Sequence, residues 1–183
     1  MGGYFADFDE NQKSFMPAFL FNDILRMWRT FCVNYEYFRK KGGGDWRIKN
    51  LKLKYFRILT CFSAIAHILA KFSEYKTVSP DDVVETSRLT PVQRLTDLRD
   101  GKTFSTALNL AQITDQAGAL LEDYSAFLEL NHKDKATALM DFEANEDQWR
   151  RKSHEFGARF AALLELIAGK EPLQNPLYRS IVV

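Results

Sequence analysis

The chain has few of the features that mark secreted or membrane-spanning proteins. It has only two cysteines, Cys32 and Cys61, and both lie within apolar helical patterns, which favours buried reduced thiols over a disulfide framework. Charged residues interrupt every long apolar stretch, so we expect no transmembrane span and no membrane partner. The N-terminus has neither a basic region nor an apolar signal core, which favours a cytoplasmic location.

Catalytic and metal-binding motifs are also missing from the sequence. The glycine run at 42–44 is not followed by the lysine-serine pair of a phosphate-binding loop. No second metal ligand stands at a suitable spacing from His67, His132 or His154. The Asp-Phe-Asp run at 7–9 lacks the preceding strand and the glycine-serine helix start of a nucleotidyl-transfer metal site. We therefore assign no catalytic residue and no metal ligand to this chain.

Helical periodicity is abundant, and 46% of the residues are hydrophobic. In the first long segment, apolar residues recur at alternating spacings of three and four, and a second apolar row lies beside the first. We therefore expect most of this helix to be buried. The two rows are Phe21, Leu25, Trp28, Cys32 and Tyr35, and Leu20, Ile24, Met27 and Phe31. No useful strand alternation occurs, so the sequence predicts an all-α bundle of about four long helices plus two short ones.

We expect one helical domain over residues 1–183, divided into four parts. Residues 1–14 are predicted as an irregular lead-in, 18–72 as a basic helical hairpin, 79–170 as the remaining helices and 171–183 as an extended tail. Three glycines at the connector supply the backbone freedom for an antiparallel reversal of the hairpin.

Helix start signals are clearest in the second half. Serine-proline at 79–80 and threonine-proline at 90–91 combine a hydroxyl cap with proline in the first turn, which predicts two short helices. Thr103 is predicted to cap a long helix that reaches about Leu130. A final long helix is predicted over Ala136–Ala168.

Charge is distributed unevenly along the chain. Between Arg26 and Arg57 the sequence has ten lysines and arginines against two acids, a net charge of +8, whereas the whole chain carries +1. The remainder is therefore acidic, and the hairpin forms a basic end.

Polar residues form a narrow strip on each arm of the hairpin. On the first arm the strip is Asn22, Asp23, Arg26, Arg29 and Thr30, and on the second it is Asn50, Lys54 and Arg57. Confined cations need partners, because unpaired buried charge is costly. Three answers are open: internal carboxylates such as those of Asp23 and Glu36, a phosphate-bearing ligand between the strips, or a solvated face.

Parts of the hairpin resemble a known family. The run from Asn22 to Thr30, the pair Tyr35-Glu36 and the run from Trp46 to Arg57 are similar to the helical region downstream of the catalytic domain in bacterial nucleotidyltransferase-like proteins. These belong to the DNA polymerase beta superfamily, in the neighbourhood of the uridylyltransferases. The resemblance covers roughly residues 18–62. It implies a helical domain that packs on a nucleotidyltransferase core and closes over the nucleoside triphosphate.

The resemblance also implies roles for individual residues. Carried over by position, the residues that contact phosphates or the second substrate are Arg26, Arg29, Lys49, Lys52 and Arg57. Asn22 and Asp23 would orient the arginines. The second polar strip adds Lys54 to the phosphate- or nucleotide-binding set.

The catalytic domain of that family, with its paired aspartates, is missing from these 183 residues. We therefore expect an accessory domain that is not catalytic alone and that holds no cofactor itself. Three alternatives are open: the chain is a fragment of a longer protein, it works with a separate catalytic chain, or it is a relative that has abandoned catalysis. In the first two cases magnesium and the nucleoside triphosphate would come with the catalytic domain as partner.

A different class of function is the alternative. The chain is 14% aromatic with fifteen phenylalanines, and such a composition suits a helical interaction or regulatory protein that forms a homo- or hetero-oligomer. Nucleic-acid binding through the same basic patch is a weaker expectation, because the acidic remainder would confine it to the hairpin end.

Overall fold

The computed structural model describes residues 2–42, 46–104 and 109–182, and every regular element in these ranges is a helix. The predicted all-α fold is therefore confirmed. The α-helices are α1 (Gly2–Asn11), α2 (Ala18–Lys40), α3 (Trp46–Lys52), α4 (Ile58–Tyr75), α5 (Pro80–Arg88), α6 (Pro91–Arg99), α7 (Leu110–His132), α8 (Lys135–Ala144), α9 (Glu146–Ala168) and α10 (Pro176–Val182). A π-helical turn (Leu53–Arg57) joins α3 to α4, and a 3-10 turn (Pro172–Gln174) precedes α10.

Helix α4 is the centre of the bundle. It packs against α2, α5, α6 and α9, and α7 packs in turn against α6 and α9. Every residue from Ile65 to Ala70 is buried. Because the helix is surrounded, its apolar positions are satisfied all round, as expected for a core helix.

The two arms of the predicted hairpin run antiparallel. Near the connector, the Lys49 ammonium lies 4.7 Å from the centre of the Phe38 ring. Farther along, the rings of Trp28 and Phe62 are 5.7 Å apart in edge-to-face contact. Residue numbers thus fall along α2 as they rise along α3 and α4. Gly42 has φ +71° at the end of α2, and the rest of the connector, 43–45, lies outside the described residues.

Burial of α2 was predicted wrongly. Only Phe21 is fully buried among its 23 residues. The reason is that α2 packs on one side only, against α3, the π turn, α4 and α10, so that apolar residues elsewhere on its circumference have no partner. Its exposed large hydrophobic residues are Phe19, Met27, Val33, Tyr37 and Phe38.

The π-helical turn brings two consecutive aromatic residues onto α7. Tyr55 stacks on Phe127 with ring centres 4.6 Å apart, and Phe56 meets the same ring edge-on at 5.0 Å. A regular helix would turn neighbouring side chains about 100° apart, whereas the wider turn lets both point to one neighbour. Nothing in the local sequence predicted this turn.

The short helices were predicted in part. Ser79 and Thr90 each form a capping box: the hydroxyl oxygens accept from the backbone N–H of Asp82 and Gln93, whose side chains accept in return. Gly101, at φ +70°, follows α6. Both predicted short helices are confirmed, and further short helices, α1, α8 and α10, were not anticipated.

Three predictions about where helices begin are wrong. Residues 1–14 contain α1, which lies against α5, with the Phe8 ring in edge contact with Phe15 at 5.7 Å. Thr103 does not cap α7, which begins at Leu110. Within the tail, Asn175 Oδ1 accepts hydrogen bonds from the N–H groups of residues 177 and 178 and starts α10.

The final long helix is interrupted. Asn145, at φ −128° and ψ 27°, separates α8 from α9. Its side-chain amide donates to the carbonyl and the carboxylate of Asp141, both at 3.1 Å. Asparagine competes with helical hydrogen bonds in this way, which explains the break inside a segment of helical periodicity.

One helical segment, Trp46–Tyr75, is long and apolar enough to cross a membrane by length and composition. Its most apolar window has a mean hydropathy of 1.3, and 56% of that window is buried inside the bundle. Core helices of water-soluble proteins meet the same criteria, so this observation assigns no membrane span.

Candidate functional site

A cavity of about 290 Å³ opens between α3, the end of α7 and the start of α8. We name it the lysine cavity. Its floor is apolar and is formed by Ile48, Leu51, Phe127, Leu130, Ala138 and Leu139. Its rim consists of Lys49, Lys52, Asn131, Lys133 and Lys135. Among the residues that the structure describes, no carboxylate lines this cavity, so its electrostatic potential favours an anion.

Helix α3 supplies one side of the rim. Lys49 and Lys52 are three residues apart and therefore share a face of the helix. Between them in sequence, Leu51 is buried and anchors this turn to the core. The floor behind it is fixed as well, because the Phe127 ring is stacked on Tyr55 with an angle of 2° between the ring planes. The two ammonium groups thus extend from a well-packed base.

The turn between α7 and α8 supplies the other side. Lys133 donates a hydrogen bond to the carboxylate of Asp141, and this contact holds the pKa of Asp141 below its ordinary value. The Asp134 carboxylate accepts from the N–H groups of Ala136 and Thr137, both at 3.1 Å. A hydrogen bond from the Thr137 side chain, and then these backbone contacts, lower the pKa of Asp134. Both acids near the rim are therefore engaged in holding the turn.

The predicted residues of α2 lie elsewhere. A guanidinium nitrogen of Arg26 is 3.5 Å from Asp23 Oδ1, and both side chains are about two-thirds exposed, so the pair contributes little to stability. Asp23 thus contacts the arginine that it was predicted to orient. Arg29 and Asn22 are exposed and form no hydrogen bond or ion pair within the described part of the chain. None of the four lines the lysine cavity.

Arg57 and Lys54 face two different neighbours. The Arg57 guanidinium lies 4.4 Å from the centre of the Phe31 ring and connects the two arms. Lys54 Nζ is 3.1 Å from His154 Nε2 on α9. Burial, and then the nearby Arg150 guanidinium, lowers the pKa of Lys54. Neither residue lines the lysine cavity.

The structure therefore brings together two of the predicted binding residues, Lys49 and Lys52. It adds Lys133 and Lys135, which sequence reasoning missed. The turn at 131–134 was predicted, but no local signal indicates that the end of α7 approaches α3. Only the packing of the π-helical turn, which follows α3, on the Phe127 ring of α7 reveals it.

Two exposed aromatic residues stand beside the lysine cavity, at the connector end of α2. We name Tyr37 and Phe38 the aromatic tip. They are 55% and 51% exposed, and their rings contact each other edge-on at 5.8 Å. The Lys41 ammonium lies 4.4 Å from the centre of the Tyr37 ring, and Lys49 lies over Phe38. Lys49 therefore contacts the aromatic tip and also lines the lysine cavity.

Over the described ranges, no group of three or more histidine, cysteine, aspartate or glutamate side chains is placed to hold a metal ion. The donor set of the lysine cavity is cationic and suits anions instead.

Comparison of the chain with protein-family models, with curated proteins and with solved structures finds no match. The resemblance of the hairpin to nucleotidyltransferase-associated helical regions stays a prediction from the sequence.

Proposed function

We propose that this protein is an accessory helical domain for nucleotidyl transfer, which binds a nucleotide or the phosphate-bearing second substrate through its basic hairpin. It is not catalytic alone, and a separate catalytic domain supplies the aspartates, magnesium and the reaction. The observation that carries the proposal is the lysine cavity, where four lysines surround an apolar floor. The family resemblance of the hairpin supplies the link to nucleotidyl transfer.

Charge is the main driving force for binding in this proposal. Lys133 is already paired with Asp141, so the charge available to a ligand comes first from Lys49 and Lys52, whose ammonium groups can donate charge-assisted hydrogen bonds to a phosphate. Neither Lys49 nor Lys52 has an ion-pair partner in the ranges that the structure describes, so both are available. Each hydrogen bond to a charged group contributes roughly 1.5–3 kcal/mol.

Size and floor chemistry favour a nucleotide over a bare phosphate ion. At about 290 Å³ the cavity lies at the small end of ligand pockets, which span roughly 300–1,000 Å³. A base or ribose could lie against Ile48, Leu51 and Leu139, with phosphates at the lysine rim. Phosphate groups beyond the first would extend towards solvent, where a catalytic partner could reach them.

Calorimetric titration with ATP, and separately with inorganic pyrophosphate, tests the proposal. We expect measurable binding of both at low ionic strength, with ATP tighter because of the apolar floor. Lys52→Glu should weaken ATP binding by about tenfold or more, since it removes one charged contact and adds repulsion. The matched control is Lys13→Glu, an exposed lysine outside the hairpin, which should leave affinity unchanged. Absence of binding by the wild-type chain contradicts the proposal.

A second candidate function is favoured by the surface of α2. Exposed Phe19, Val33 and Tyr37 are unusual on a soluble helix and suit a helical interaction protein that forms a homo- or hetero-oligomer. Sedimentation of the wild-type chain tests the homotypic form: a dimer that Phe19→Ala weakens supports it, and a monomer at high concentration removes it.

A further inference from the structure

We propose that the aromatic tip and the lysine cavity together bind single-stranded nucleic acid. Bases stack on Tyr37 and Phe38, the strand passes Lys49, and its terminal nucleotide occupies the cavity. This inference rests on the proposed function and deepens it, because it names a polynucleotide end as the ligand of the phosphate site.

The aromatic tip has the chemistry of a stacking platform. About half of each ring is exposed, and each ring has a lysine ammonium above it. An ammonium over an exposed ring is a weak contact. When a base stacks on the ring, Lys41 or Lys49 can move to the adjoining phosphate. One aromatic residue and its lysine then bind the base and the phosphate of the same nucleotide. Aromatic rings combined with cations are the usual means of binding single strands without sequence preference.

The path from the aromatic tip to the lysine cavity is continuous and positive. Lys49 lies over Phe38 and also lines the cavity together with Lys52, one helical turn away. A strand leaving the aromatic tip therefore meets cations at each step to the cavity rim.

Acids beside this path are already paired with cations. The Glu36 carboxylate accepts two hydrogen bonds from Arg39, at 3.0 and 2.6 Å. On α8 and α9, Glu143 and Glu146 both pair with Arg47. Glu146 also pairs with Arg150, so that two arginines balance the two glutamates and the charge opposing a polyanion is small.

An anionic membrane is less well matched to the same surface. Interfacial helices present a continuous apolar face. On the outer side of α2, exposed Val33 and Tyr37 are instead interspersed with exposed polar residues, namely Arg26, Thr30 and Asn34. The lysine cavity is also concave, which suits a flexible strand and not a flat bilayer.

The test is fluorescence anisotropy of the full chain with a labelled oligothymidylate of about 12 nucleotides, within the range of single-strand site sizes. We expect it to bind more tightly than ATP. Its affinity should fall with salt, with a slope of about −0.7 per phosphate contacted in a plot of log affinity against log salt. The double variant Tyr37→Ala/Phe38→Ala should weaken oligothymidylate binding by about tenfold or more, and should leave ATP affinity unchanged.

Two controls separate the outcomes. Phe19→Ala removes a still more exposed ring at the far end of α2 and should leave oligothymidylate binding unchanged. Lys52→Glu should weaken oligothymidylate and ATP alike, because both ligands use the cavity.

Several results overturn the inference. If ATP binds but oligothymidylate binds no more tightly, or if the double variant has no effect, the strand path is wrong and the proposed function stands. If binding of the oligonucleotide survives Lys52→Glu, its end does not occupy the cavity. If neither ligand binds, both proposals fail. If phosphatidylglycerol vesicles bind and oligothymidylate does not, the surface is a membrane-binding one instead.

Discussion

Helices α2 and α4 lie side by side and are both rich in apolar residues, yet they are buried to very different extents. Ten residues of α4 are buried, against one in α2. Helix α4 has neighbours on all sides, whereas α2 packs on one side against the second arm and α10. The comparison shows that apolar content measures burial only where enough partners surround a helix. It also separates a region that stabilises the fold from one that presents a surface.

Truncating an aromatic ring should cost far more stability in the core that surrounds α4 than on the exposed face of α2. Phe156 is fully buried on α9 against Tyr55. Phe156→Ala should lower the free energy of unfolding by about 3–5 kcal/mol, because the cost of the cavity left behind adds to the lost burial. Phe19→Ala, in exposed α2, should change it by less than about 0.5 kcal/mol. Urea unfolding of the two variants measures both. Equal losses would show that α2 is better packed than its exposure indicates.

Acid should destabilise the protein through α4. His67 is buried, and its Nδ1 donates to Thr86 Oγ1 at 2.9 Å, because that hydroxyl's own proton is donated to the Asp82 carbonyl. Burial, reinforced by the charge of Lys71, lowers the pKa of His67 to about 4.

In the unfolded chain His67 is protonated with its ordinary pKa of about 6.5, whereas in the folded protein its pKa is about 4. Above about pH 6.5, protonation of His67 therefore has no effect on the free energy of unfolding. As the pH decreases from there to about 4, the free energy of unfolding falls by up to about 3 kcal/mol. Unfolding curves of the wild type and His67→Gln across this interval measure the loss. A variant with the same pH dependence as the wild type would assign the loss to other groups.

Helix caps should matter less than core residues but still more than the surface of α2. Ser79→Ala removes the capping box of α5 and should cost about 1 kcal/mol. Ser87→Ala, at an exposed position of the same helix, serves as the control and should cost less than about 0.5 kcal/mol. Urea unfolding at neutral pH distinguishes the two. A neutral result for Ser79→Ala would mean that tertiary packing alone holds the start of α5.

Local signals predicted those parts of the fold that depend on neighbouring residues. Hydroxyl-proline starts at Ser79 and Thr90 were identified because capping acts within one turn. The break at Asn145 and the helices α1 and α10 were missed. The short helices are stabilised by contacts with distant elements, such as that of the Thr77 hydroxyl, which donates to the Gln12 carbonyl at 2.7 Å.

Of the four lysines that line the candidate site, the basic run and the resemblance of the hairpin singled out two, and their binding role stays a prediction. Lys49 and Lys52 belong to an evidently basic run. Lys133 and Lys135 follow a helix that approaches α3 only in the folded chain. The sequence also could not show that Arg29 and Lys52 face different surroundings, since both occupy one basic segment.

The most direct measurement is calorimetric titration of ATP into two charge-neutralising variants, Lys52→Gln in the lysine cavity and Arg29→Gln on the exposed face of α2. If the cavity is the phosphate site, Lys52→Gln weakens the affinity by about tenfold and Arg29→Gln changes it by less than about twofold. The reverse pattern, with Arg29→Gln causing the loss and Lys52→Gln none, contradicts the assignment and places the ligand on α2.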